Sequence, residues 1–293
     1  MYENRFQNYE TCSANVKKQI SDVVKALTSL LKDNLLGFYL NGSIILNAFD
    51  EKSSDIDMIG VIENPMSANE KIELGSRLLS IHQQPCSLEV TLVAKDCLNP
   101  WQYPPMYNFY FSEYFITQYK QFMQGENLSH RLLTINANTA EPTSCLKVVR
   151  EKGICLYGMS AESLIPDIPE NDFWDAISDV CGLDAASDND SHRPFAILTL
   201  CRVLSYRKTG KLFSKQEAAF WAMDEMPEIF RPIISNALFD HYGLGEKKLY
   251  PNEDAVSFKT FVLENIIGYC KCLRKQKCTR RNSFDGLGNS FLT

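Results

Sequence analysis

Two carboxylates one residue apart, Asp55 and Asp57, follow a Gly-Ser pair, Gly42-Ser43, and short apolar runs flank the arrangement. That stretch limits the fold more than any other part of the chain. Residues 37–40 (Gly-Phe-Tyr-Leu) and 56–62 (IDMIGVI) both read as buried strands. Strand side chains alternate faces, so Asp55 and Asp57 share one side while Ile56 and Met58 take the other. Adjacent carboxylates repel unless positive charge lies between them. A hard divalent cation carrying substrate phosphates meets that need, because magnesium takes oxygen ligands from one or two carboxylates. Gly42 permits close backbone approach, and amides at the start of a short helix expected over 43–49 can face an anion. A Gly-Ser pair alone is a turn, and Asp-x-Asp alone is a solvated strand start. Together, in this order, they describe a metal and phosphate site.

A third acid stands in a similar setting. In residues 87–94 (SLEVTLVA), Leu88, Val90 and Leu92 face one way, and Glu89, Thr91 and Val93 the other. An unpaired charge in such a strand is costly to bury. Either this is an edge strand with Glu89 in water, or Glu89 completes an acidic triad with Asp55 and Asp57.

Around these strands the periodicity is helical. Val16, Ile20, Val23, Leu27 and Leu31 predict a helix within 11–34 that packs on the sheet. Ser67 caps a second, over 67–83, and Pro85 stops it. Residues 109–123 predict an aromatic-rich helix, and 158–169, with Pro166 and Pro169, mark a domain boundary. Beyond it come helices over 172–181, 195–207, 214–226, 228–241 and 253–273, with Ser214 and Glu217 forming a capping box. The expected fold is α+β: a mixed sheet with flanking helices over 1–157, an α-helical bundle over 158–273, and a disordered basic tail over 274–293.

Composition narrows the partners. The 293 residues leave room for two domains, and the net charge of −6 speaks against nonspecific nucleic-acid binding. No run reaches the about 18 apolar residues of a membrane span, and MYENRFQNYE carries no signal-peptide core. A cytoplasmic monomer is expected, with neither nucleic acid nor membrane as partner. The ten cysteines include Cys86, Cys145, Cys155, Cys181 and Cys201, set singly in apolar segments as small buried hydrophobes. Cys270, Cys272 and Cys278 cluster without histidines at metal spacing, which argues against a zinc site.

The blocks GFYLNGS…SSDIDMIGV, SLEVTLV, NPWQYPP and ILTLCRVLSYRKTGKLFSKQEAAFWAMDEMP resemble successive signatures of the spectinomycin/streptomycin adenylyltransferases, within the nucleotidyltransferase superfamily. The resemblance implies transfer of AMP from ATP to a drug hydroxyl, with pyrophosphate leaving. It implies that Asp55, Asp57 and Glu89 form the metal set for Mg2+, with Glu89 also the catalytic base. Gly42 and Ser43 would contact the triphosphate, and Arg202 and Lys215 would grip the phosphates. On the residues alone, the ordinary reading of Arg202 is a surface ion pair and that of Lys215 an exposed side chain of a first helical turn. A lysine there gains nothing from the helix dipole, which favours a functional role.

The acceptor side departs from the family. Tyr114 stands at a tryptophan position, Asp188 keeps an acidic one, and His192 and Phe195 replace an acidic and a polar residue. Losing a carboxylate weakens the hold on a cationic drug, so spectinomycin is expected ahead of the larger, more cationic streptomycin. Two alternatives stay open: AMP transfer to another small-molecule or protein hydroxyl, and a non-catalytic nucleotide-binding protein on the same fold.

Overall fold

The computed structural model describes residues 5–123, 140–185, 193–244 and 250–266, residue 252 excepted. Asp188, His192, the cysteine cluster and the expected tail lie outside the described residues. The chain divides into two compact units, residues 1–177 and 178–293.

In the first unit, the apolar runs become strands β1 (Leu35–Leu40), β2 (Ile56–Ile62), β3 (Leu88–Ala94), β4 (Tyr107–Phe111) and β5 (Ile154–Gly158). They form one sheet in the order β4-β3-β2-β1-β5. Strands β2 and β3 pair in parallel from Ile56↔Leu88 to Ile62↔Ala94, and the other pairings are antiparallel. Helix α2 (Ala68–Ile81) makes the parallel pair possible, since it supplies the crossover that such strands require. Ser67 and Glu70 close its first turn as a capping box. Helix α1 (Ala14–Leu31) buries Val16, Ile20, Val23, Leu27 and Leu31 in one core with Ile56, Met58, Leu88, Val90 and Leu92. Each of these side chains is almost wholly withdrawn from water, at ~25 cal/mol per Å² of apolar surface.

The expected helix over 109–123 is corrected. Tyr107, Phe109 and Phe111 alternate as buried residues on β4, and a helix, α3, begins at Ile116 (Ile116–Met123). Period-two burial of three aromatics against β3 outweighs the helical reading of the same letters. The helix expected over 43–49 is a 3-10 turn, Gly42–Leu46, ended by Asn47 in the left-handed region. Cys155 is a second correction. It is exposed on β5, whereas Cys86 and Cys201 are buried as expected and Cys145 is half-buried.

After β4 and α3 come α4 (Glu141–Lys152), which leads into β5, α5 (Ala161–Leu164) and α6 (Glu170–Ala185). The second unit contains α7 (Arg193–Thr209), α8 (Lys215–Glu225), α9 (Arg231–His241) and a helix over 253–266. Its core joins Leu200, Cys201 and Leu204 of α7 with Ala218, Ala219 and Ala222 of α8 and Ile234 and Ala237 of α9. Three alanines on one face let α8 approach closely. The capping box expected at Ser214 and Glu217 opens this helix. No described helix is long and apolar enough to cross a membrane.

Candidate active site

Strand register alone brings two of the three acids together. Asp57 and Glu89 are direct partners on β2 and β3, whose spacing is about 4.8 Å in such sheets. Because the strands are parallel, both acids come second from the same end of the sheet, and each is half-buried there. The edge-strand reading of Glu89 is thereby overturned, since β3 lies between β2 and β4. Asp55 is exposed and sits two residues before Asp57, immediately ahead of β2.

Gly42 lies directly against Asp57 of this pair. Its φ is +68°, which an L side chain rarely adopts, and a Cβ built there would stand 1.8 Å from Asp57 Oδ2. The adjacent Asn41 donates its backbone N–H to the Asp57 carbonyl at 2.9 Å, locking the turn to the first residues of β2. Ser43, half-buried, follows on the same turn. The side-chain oxygen of Asn41 is buried and has no hydrogen-bond partner among the described residues. A buried carbonyl of that kind normally meets a donor from water or ligand.

The loop that delivers Asp55 is organised by a residue the spacing did not single out. Asp50 is buried, its Oδ2 accepts from Arg5 Nη2 at 2.6 Å and Ser53 Oγ at 2.9 Å, and its Oδ1 accepts from Lys52 N at 3.3 Å. Burial works to raise its pKa, yet these bonds and the Arg5 charge hold the carboxyl below the usual carboxylate range. Next to Asp55, Cys86 is pushed up to about 12 by burial first and then by the charges of Glu51 and Asp55, so the thiol stays protonated. Nothing in the sequence pattern pairs Arg5 with Asp50, since the contact spans distant parts of the chain.

Among the described residues no group of three or more His, Cys, Asp or Glu side chains is disposed to hold a metal ion. Magnesium rarely needs one, because it keeps several waters and binds through one or two carboxylates plus substrate phosphates. The donors here, hard carboxylate oxygens beside a glycine cradle, suit that ion rather than a soft one.

Tyr114, 80% exposed, stands on the turn Glu113–Phe115 between β4 and α3, in the same unit as the acids. In the second unit, Arg202 is half-buried on α7. Lys215 is the first residue of α8, its ammonium 4.0 Å from the centroid of the Phe195 ring and 3.5 Å from His241 Nε2. His241 is driven down to about 3 by burial and then by the Lys215 charge, so its neutral ring accepts from the ammonium. A cation in a first helical turn is thus steadied by an aromatic face and an imidazole. Phe195 was legible as a departure from the family, but not as a support for Lys215.

Residues 163–265 match the family model described as the aminoglycoside adenylyltransferase C-terminal domain. The chain is 28% identical over 269 residues to an aminoglycoside (3'') (9) adenylyltransferase of Escherichia coli, covering 89% of this chain and 96% of that protein. It is 28% identical over 250 residues to a spectinomycin 9-adenylyltransferase of Enterococcus faecalis, covering 82% and 92%. The fold is similar to the crystal structure of the Enterococcus spectinomycin adenyltransferase AAD(9) with ATP and spectinomycin. There the TM-score is 0.72 at 26% identity, over 85% of this chain and 98% of that one. With its paired acids, its glycine turn and these matches along most of its length, the chain is similar in sequence and fold to the aminoglycoside adenylyltransferases.

Proposed function

We propose that this protein transfers AMP from ATP to a hydroxyl of an aminoglycoside-type antibiotic and releases pyrophosphate, with spectinomycin preferred over streptomycin. The observation that carries the reading is the Asp57–Glu89 pairing beside Gly42. The relatives named above supply the reaction class. Adenylyl transfer is mainly positioning and charge neutralisation, so acids for a cation and basic residues for phosphate are the parts it needs.

Glu89 takes the proton of the acceptor hydroxyl as its oxygen attacks the α-phosphorus. The P–O bond to pyrophosphate breaks, and the electron pair leaves with it. Asp55 and Asp57 would hold Mg2+, which supplies charge neutralisation on the phosphate oxygens when bound. Gly42 and Ser43 receive the triphosphate at the turn, where any larger residue than glycine would collide with Asp57. Arg202 and Lys215 bind the phosphates. Tyr114 stacks on the acceptor, and Asp188 and His192 contribute to the same recognition.

A second reading keeps AMP transfer and changes the acceptor. Tyr114, His192 and Phe195 favour it, because they alter the acceptor side while leaving the acids untouched. Pyrophosphate release from purified protein, with ATP, Mg2+ and a panel of acceptors, separates the two. Turnover with spectinomycin above streptomycin is expected, and chelation of the metal should abolish it. Turnover with other hydroxyl compounds and none with any aminoglycoside would move the assignment to the second reading. Metal-independent ATP binding without turnover would leave a nucleotide-binding protein.

A further inference from the structure

Away from the paired acids, one buried histidine gathers more hydrogen bonds than the end of a helix requires. His82 is the C-cap of α2 and is 7% exposed. Its Nδ1 accepts the Leu88 backbone N–H at 3.1 Å, which places the ring proton on Nε2. Nε2 donates to Glu113 Oε2 at 2.6 Å, and the ring meets Phe111 edge-on. The same carboxylate oxygen accepts from Gln83 Nε2 at 3.2 Å and from Ser87 Oγ at 3.3 Å. Burial works to raise the Glu113 carboxyl, but the bonds from Gln83 and His82 hold it below the usual range. Leu88 immediately precedes Glu89, and Glu113 immediately precedes Tyr114. One imidazole therefore ties the strand start that carries the base to the turn that carries the exposed aromatic.

We propose that His82 and Glu113 are positioning residues that fix the acceptor-binding turn relative to Glu89. The proposal rests on the roles assigned above to Glu89 and Tyr114. A base must lie within hydrogen-bond reach of the proton it takes, and an error near 1 Å can cost up to about 100-fold. A turn held only by its own backbone would leave that distance free. The His82–Glu113 link removes the freedom without touching substrate.

The test compares full-length parent, Glu113→Ala, Glu113→Gln and His82→Asn. Glutamine keeps an acceptor oxygen for His82. Asparagine keeps an acceptor for Leu88 but does not reach Glu113. Glu113→Ala and His82→Asn should lower kcat/KM for the acceptor by about 10- to 100-fold, with KM for ATP within about twofold of the parent. Glu113→Gln should recover most of the loss. Amide hydrogen exchange gives a readout that needs no turnover: Glu113→Ala should speed exchange at Leu88, and Glu113→Gln should not. An acceptor kcat/KM in Glu113→Ala within roughly threefold of parent overturns the proposal, as does a parallel fall in the ATP and acceptor constants. Should the parent turn over no aminoglycoside, the function assigned above fails on its own account. The Leu88 exchange rate then decides: faster in Glu113→Ala supports the link, unchanged overturns it.

Discussion

The two units hold the side chains assigned to the proposed reaction by different physical means. In the sheet unit, Asp57 and Glu89 meet because β2 and β3 pair residue for residue, and Gly42 leaves room for one of them. In the helical unit, Lys215 is steadied by side chains, a Phe195 ring at 4.0 Å and a His241 nitrogen at 3.5 Å. The register of β2 on β3 is set by backbone bonds and by the apolar residues around the acids, so removing a carboxylate should cost chemistry and leave the fold. Side-chain support is graded, so weakening it should cost affinity in small steps.

The sharpest way to break the contrast is Asp57→Asn. It keeps the register and removes the charge, and transfer should fall by about 10^3-fold or more while thermal unfolding stays near the parent. Gly42→Ala attacks the same point from the backbone side. Its new methyl meets Asp57 Oδ2 and its φ of +68° becomes strained. A loss of about 100-fold in turnover and 1–3 kcal/mol in stability, read by denaturant unfolding, is expected.

In the helical unit, Phe195→Leu should raise the Kd for ATP only a few-fold, since a cation–π contact contributes about 0.5–1 kcal/mol. Calorimetric titration with ATP checks this. An effect as large as that of Asp57→Asn would erase the distinction between the units.

Acid separates them further. His241 is neutral in the fold down to about 3, against an ordinary value of 6.5, so the unfolded chain binds its proton first. That contribution to stability is whole above pH 6.5 and drains as pH falls toward about 3, by up to about 1.4 kcal/mol per pH unit. Asp50 has a folded pKa below its ordinary 3.8, so its contribution is whole above pH 3.8 and is lost at more acid pH. Amide exchange at pH 5 should therefore show the helical unit weakened before the sheet unit. His241→Gln should remove the difference.

How much of this was legible in the sequence follows from the range of the interactions. The Asp55-Ile56-Asp57 step and Glu89 declare themselves through period-two alternation, which is local. The capping boxes at Ser67 and Ser214 are local too, and their helices start where the letters say. Strand β4 was not legible as a strand, because its aromatics run into Ile116 and Tyr119, which continue an apolar pattern into a helix. The contact of Gly42 with Asp57, the clasp of Arg5 on Asp50 and the reach of His82 to Glu113 join residues far apart in the chain. No periodicity marks such pairs. They exist only once the sheet has closed.

In the proposed reaction Glu89 acts as a base beside Asp57, and one measurement addresses that most directly. The rate of AMP transfer from ATP to spectinomycin, in a single turnover at saturating Mg2+, is compared for parent and Glu89→Gln, with ATP binding measured in parallel. Transfer slowed by about 10^2- to 10^4-fold with ATP binding retained is the expected result. Transfer at the parental rate would contradict it.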